Sequence, residues 1–204
     1  MLRGEWMMSR QPVVSAALLL ALVLSGCGPQ HTYGGTVVDP PLEVPAFTLV
    51  DTAGQPFDLK GAAGQITLVF FGYTNCPDTC PLTMAHLKQA VAQLRPQETE
   101  RVQVVFVTVD PDRDTPEVVG RFVHGFNPSW VGLTGDPAVL AQARKAYGVY
   151  GEPAESGHAD HAAYEVVHTD RVFALTGPGT VRLIWGSDTP PAMLTEDIRA
   201  LLRG

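Results

Sequence analysis

Residues 66–73 read ITLVFFGY, an apolar run with no helical period. A run of this length predicts a strand buried on both faces, and such a strand needs a layer of structure on each side. Asn75 to Cys80 make a turn. Residues 81–94 then place Met84, Leu87, Val91 and Leu94 on one helical face. Residues 102–109, VQVVFVTV, repeat the buried-strand pattern. Strand, helix and strand in succession limit the chain to α/β architectures with helices packed on a sheet.

The rest of the chain extends the alternation. Residues 47–50 and 57–59 flank Asp51-Thr52-Ala53-Gly54 as a small hairpin. Thr115-Pro116-Glu117 supplies a capping hydroxyl, a proline at the first helical position and an acid, opening a helix that runs to about residue 124. A short strand at 130–133 and a helix at 137–147 follow, with Gly148 as a left-handed stop. Residues 151–163 are a polar loop, and 165–175 a strand region. Gly177-Pro178-Gly179 turns the chain into 181–185, and Thr195 caps a last helix to about residue 202. There is no internal repeat. The expected architecture is a central mixed sheet flanked by helices, with an N-terminal hairpin and a C-terminal hairpin plus helix. That order fits a thioredoxin-like fold with an inserted strand and helix.

Of 204 residues, 45% are hydrophobic and 17% charged, which excludes a disordered chain. Net charge is -7, without a Lys/Arg cluster, so a nucleic-acid partner is not expected. Arg3 and Arg10 precede an apolar stretch at 13–24, too short to span a bilayer, where roughly 20 apolar residues are needed. Leu24-Ser25-Gly26-Cys27 follows and resembles a bacterial lipobox, in which the cysteine becomes the lipidated first residue. The expected organisation is a lipoprotein signal peptide at 1–26, a Gly/Pro-rich flexible tether at 27–43 and a globular domain at 44–204. The domain would then work outside the cytoplasm, anchored to a membrane by lipid, where disulfides can form. With Cys27 taken by lipid, Cys76 and Cys80 remain as a pair.

Cys76-Pro77-Asp78-Thr79-Cys80 puts two cysteines four residues apart, on one side of a helical turn. A helix N-terminus stabilises thiolates, and thiolates are soft donors that favour Cu(I). The same pair could form a disulfide, structural or redox-active. An imidazole would extend the set to Cu(II). His31 falls in the tether, His86 and His124 on helices, and His158 and His161 in the loop. His168 stands where a strand region begins after that loop. Asp110, Asp112 and Asp114 are not a calcium loop, because Thr115 and Arg121 occupy positions that need Gly and Glu. They read as a turn with an Asp–Arg113 ion pair and a helix cap. Asp110, at a strand end, could also approach the cysteines from behind a ligand. Met84 reads as core packing rather than a thioether ligand.

Residues 71–81, FGYTNCPDTCP, resemble the signature of the SCO/SenC family. Residues 109–116, VDPDRDTP, resemble its second motif; VGLTG at 131–135 follows in place, and Val167-His168-Thr169 matches its histidine segment. The resemblance covers about 47–202. It implies a membrane-tethered thioredoxin-like protein that binds copper, as Cu(I) or Cu(II), through Cys76, Cys80 and His168. It further implies assistance in assembling the dinuclear copper A centre of cytochrome c oxidase. The partner would be the copper A subunit, with another extracytoplasmic copper chaperone as a further contact. In one departure, Val167 stands where many members carry Asp before the histidine. The competing function is a thiol-disulfide oxidoreductase that keeps a partner's copper-site cysteines reduced through Cys76 and Cys80. A thiol peroxidase has only the fold in its favour.

Overall fold

The strand β4 (Ile66–Gly72) is buried along its whole length. It pairs in parallel with β5 (Val102–Thr108), and β5 in parallel with β6 (Val131–Thr134). This computed structural model describes residues 31–61, 65–153 and 166–204. The chain divides into two units, Met1–Thr32 and Tyr33–Gly204, and the elements below belong to the second.

The remaining strands are β1 (Thr36–Glu43), β2 (Phe47–Asp51), β3 (Pro56–Leu59), β9 (Arg171–Leu175) and β10 (Thr180–Gly186). With β4–β6 they form an eight-stranded mixed sheet in the order β1-β10-β9-β4-β5-β6-β2-β3. β7 (Gly151–Pro153) and β8 (Val166–His168) make a separate two-stranded ladder, with Gly151 opposite His168. The helices are α1 (Thr79–Ala92), α2 (Pro96–Thr99), α3 (Pro116–Phe126), α4 (Pro137–Tyr147) and α5 (Pro191–Arg203).

Alternation along β4 builds the two layers of the core. Phe70 meets Phe106, whose ring in turn meets Phe122 of α3. Phe71 points to the other face, 5.1 Å from the ring of Tyr147 on α4, with Phe173 completing the cluster. α1 and α5 pack together, with Thr195 Oγ1 lying 3.1 Å from Ala90 O. The last turn of α4 ends at Gly148, φ +66°, the conformation a side chain would oppose. Among the described residues no helix is long and apolar enough to cross a membrane.

Three expectations change. The tether expected at 27–43 ends sooner, because Thr36–Glu43 is the edge strand β1, antiparallel to β10. Asp197 of α5 fixes its entry, accepting from Gly34 N at 3.0 Å, Gly35 N at 3.0 Å and Trp185 Nε1 at 2.8 Å. The strand region expected at 165–175 is two strands in different sheets, β8 and β9. The last helix starts at Pro191, four residues before the expected cap. Thr195 lies inside it, its hydroxyl turned back to Pro191 O at 2.8 Å.

Candidate metal centre

Cys76 and Cys80 lie where β4 ends and α1 begins, and no disulfide joins them. Asp78 is the residue before the helix and makes no side-chain cap, so backbone N–H groups of the first turn remain for the sulfurs. Cys80 N donates to Cys76 Sγ at 3.4 Å, and Thr79 Oγ1 lies 3.5 Å from the same sulfur. Burial pushes the Cys76 thiol up, but the Thr79 hydroxyl and the N–H groups of Cys80 and Asp78 outweigh it. Cys76 is therefore held below the ordinary thiol value. Cys80 is fully buried. Its burial pushes the thiol well above the ordinary value; the Tyr73 backbone opposes this, and the charges of Cys76 and Asp170 add to it. The helix N-terminus thus activates one cysteine of the pair, not both.

The turn before Cys76 is tied to the end of β5. Asp114 is completely buried and accepts from Thr74 N at 3.0 Å, Thr74 Oγ1 at 2.5 Å and Thr108 Oγ1 at 2.6 Å. Burial raises its carboxyl above the usual range, against the pull of those donors. Asp110 accepts from Arg113 Nε at 2.5 Å, the ion pair expected from the sequence, and the Arg113 guanidinium lies 5.9 Å from the Tyr73 ring centre. Asp110 thus bears on Arg113, which lies over Tyr73; its expected place behind a copper ligand remains a proposal. Thr115 caps α3, accepting from Val118 N at 3.4 Å. Gly72 leaves room for Cys80: a Cβ there would stand 2.9 Å from its sulfur. Met84 is buried in the core, as expected.

The strand that carries His168 comes to the same place. The Val166 backbone hydrogen-bonds Tyr73, and the charge of Asp170 is felt at Cys80. These two residues bracket His168 on the chain. Among the described residues no three His, Cys, Asp or Glu side chains gather on one point; the His168 side chain lies outside that description. Cys27, His158 and His161 also lie outside the described residues. His86 is half-buried on α1 and His124 exposed in the last turn of α3. Sequence reasoning missed Asp114 and Asp170. Asp114 looked like one acid of three in a turn, and Asp170 has no motif around it.

A family model described as SCO1/SenC matches residues 37–203. The mouse mitochondrial protein SCO2 homolog is 36% identical over 155 residues, 75% of this chain and 60% of that protein. The chain thus spans about 60% of the length of that relative. Apo Sco1 from Thermus thermophilus superposes with a TM-score of 0.75 at 37% identity, over 85% of this chain and 99% of that one. ScoI of Bradyrhizobium japonicum, determined with copper bound, superposes with a TM-score of 0.68 at 29% identity, over 77% of this chain and 98% of that one. The shared architecture is the thioredoxin-like fold expected from the sequence. On these matches the chain belongs to the SCO1/SenC family.

Proposed function

We propose that this protein is a copper metallochaperone that carries one copper ion on Cys76, Cys80 and His168 and donates it to the copper A centre of cytochrome c oxidase. The observation that carries the reading is the convergence of β8 on the cysteine turn. The Val166 backbone bonds Tyr73, and the charge of Asp170 disfavours the Cys80 thiolate, so residues on either side of His168 in the chain act on the cysteine turn, which supports the imidazole as the third donor. Two thiolates and an imidazole suit copper in both oxidation states: sulfur favours Cu(I), and the ring nitrogen helps hold Cu(II). Copper is cargo here. It enters when both sulfurs are reduced and leaves when donors of a partner replace them one at a time. Cys76, half exposed, is the sulfur a partner can reach first, while buried Cys80 keeps its hold. The copper-bound relative from Bradyrhizobium japonicum and the sequence signature support copper as the cargo. The copper A subunit as recipient follows from the family resemblance.

The Leu24-Ser25-Gly26-Cys27 motif supports lipidation at Cys27 and an extracytoplasmic site of action. Anchoring would keep the domain beside a membrane-bound oxidase.

The test is oxidase copper-centre assembly in cells carrying His168→Ala. Assembly should fail at ordinary copper levels while Cys76 and Cys80 still exchange thiol for disulfide. Normal assembly in that strain would overturn copper delivery and leave a thiol reductase as the reading.

A further inference from the structure

The β7–β8 ladder is not part of the main sheet, which the chain rejoins only at Arg171 of β9, after His168. Contacts outside the main sheet also hold this ladder to the body. One hold is the Val166–Tyr73 hydrogen bond on the β8 side. The hold on the β7 side is Arg144, in the last turn of α4. Its Nη1 donates to Gly151 O at 2.5 Å and to Val109 O at 3.4 Å. Val109 continues β5 toward Asp110, and Gly151 is the residue directly opposite His168. One planar guanidinium therefore joins the end of the central sheet to the register partner of the histidine.

The local sequence is built for this contact. Val149 N donates back to Arg144 O at 2.8 Å, closing the turn after α4 so that the chain returns to the guanidinium. A Cβ on Gly151 would stand 2.8 Å from Arg144 Nη1 and 3.4 Å from Val109 Cβ, so glycine permits the approach. Beside it, Tyr150 and Thr169 exchange hydrogen bonds: Thr169 N to Tyr150 O at 3.1 Å and Tyr150 N to Thr169 Oγ1 at 3.1 Å. Arg144 fixes β7 to the body, and the Tyr150–Thr169 pair fixes β8 to β7. Val167, adjacent to the histidine, carries no carboxylate that could support it.

We propose that Arg144 is a positioning residue for His168, acting through the Gly151 carbonyl and the Gly151–His168 pair. The proposal rests on His168 being a copper ligand. A guanidinium can hold two carbonyls in a fixed plane; a lysine ammonium is a mobile point charge and holds the same geometry less firmly. Loss of Arg144 should loosen the imidazole while leaving the two sulfurs in place.

The experiment uses the full chain loaded with Cu(II), and reads the paramagnetic resonance spectrum, the thiolate-to-copper absorption band and affinity by competition. His168→Ala should change the spectrum. Arg144→Gln should change it in the same direction and weaken Cu(II) binding by about tenfold, in the range seen when a ligand's supporting contact is lost. Cu(I) binding by Arg144→Gln should stay within about threefold of wild type, because the thiolate pair dominates it. In His168→Ala, adding Arg144→Gln should cause no further change. A wild-type spectrum and affinity in Arg144→Gln, or an equal loss in the His168→Ala background, would overturn the proposal. If Arg144→Gln does not fold, Arg144→Lys is read the same way, and a wild-type signal from it also overturns the proposal. A wild-type spectrum in His168→Ala alone would instead overturn the ligand assignment beneath it.

Discussion

Cys80 donates its backbone N–H to the sulfur of Cys76 across 3.4 Å, yet the two thiols are unequal. The donor's own sulfur is buried and its thiol pushed up, while the acceptor is half exposed and held down. Cys76 should accordingly be alkylated first in the metal-free protein, with Cys80 modified only slowly. Thr79→Val removes the hydroxyl beside Cys76 Sγ and should slow its alkylation near pH 7 by about tenfold, the worth of one hydrogen bond to a charged group. Peptide mapping after timed iodoacetamide treatment gives the order; Cys80 reacting first would contradict it.

Copper uptake should be pH-dependent with a definite sign. A ligating sulfur must lose its proton, and the Cys80 thiol stays protonated through the neutral range because burial raises it. Binding therefore releases that proton, and apparent affinity should rise with pH by at least about one decade per pH unit between pH 6 and 8. Competition titrations with a pH-corrected chelator measure this. Affinity independent of pH would mean that Cys80 does not ligate as a thiolate.

Gly72→Ala should damage the centre from below. Its Cβ would stand 2.9 Å from Cys80 Sγ and 3.0 Å from ring atoms of Phe70 and Phe106, all in a packed core. The expected loss is about 1–3 kcal/mol by urea unfolding, typical of overpacking, together with weaker copper binding. Unchanged stability and unchanged binding would show that the Cys80 sulfur moves freely.

Asp114→Ala leaves Thr74 N without its acceptor and strands the Thr74 and Thr108 hydroxyls. Destabilisation of about 3 kcal/mol is expected from buried donors left unpaired. Asp114→Asn should lose less, since one carbonyl oxygen can still accept. Chemical denaturation of the two variants tests the order.

The parts of this fold legible in the sequence are those whose local pattern and burial agree. β4 and β5 are continuous apolar runs because both faces are covered, and Thr115 and Gly148 mark helix ends because capping is local chemistry. β1 was hidden for the opposite reason. It is an edge strand containing Pro40 and Pro41, mostly exposed, and its ladder with β10 shifts register between Val37 and Leu42. Thr195 misled because its hydroxyl caps in most contexts, whereas here it bonds backward within its own helix. The spacing of Cys76 and Cys80 was enough to place both on one turn, whereas their copper role came from the family resemblance. Asp114, Asp170 and Arg144 were not legible, because each acquires its role from a partner far away or across an irregular loop. Thr74 is 40 residues from Asp114, and the contact of Arg144 with Val109 spans 35.

In the proposed function the two sulfurs of one turn hold the copper. Metal analysis of the copper-loaded chain, wild type against Cys76→Ser/Cys80→Ser, tests it most directly. One copper per wild-type chain and none retained by the double variant after desalting is the expected result. Stoichiometric copper retained by the double variant with undiminished affinity would contradict it.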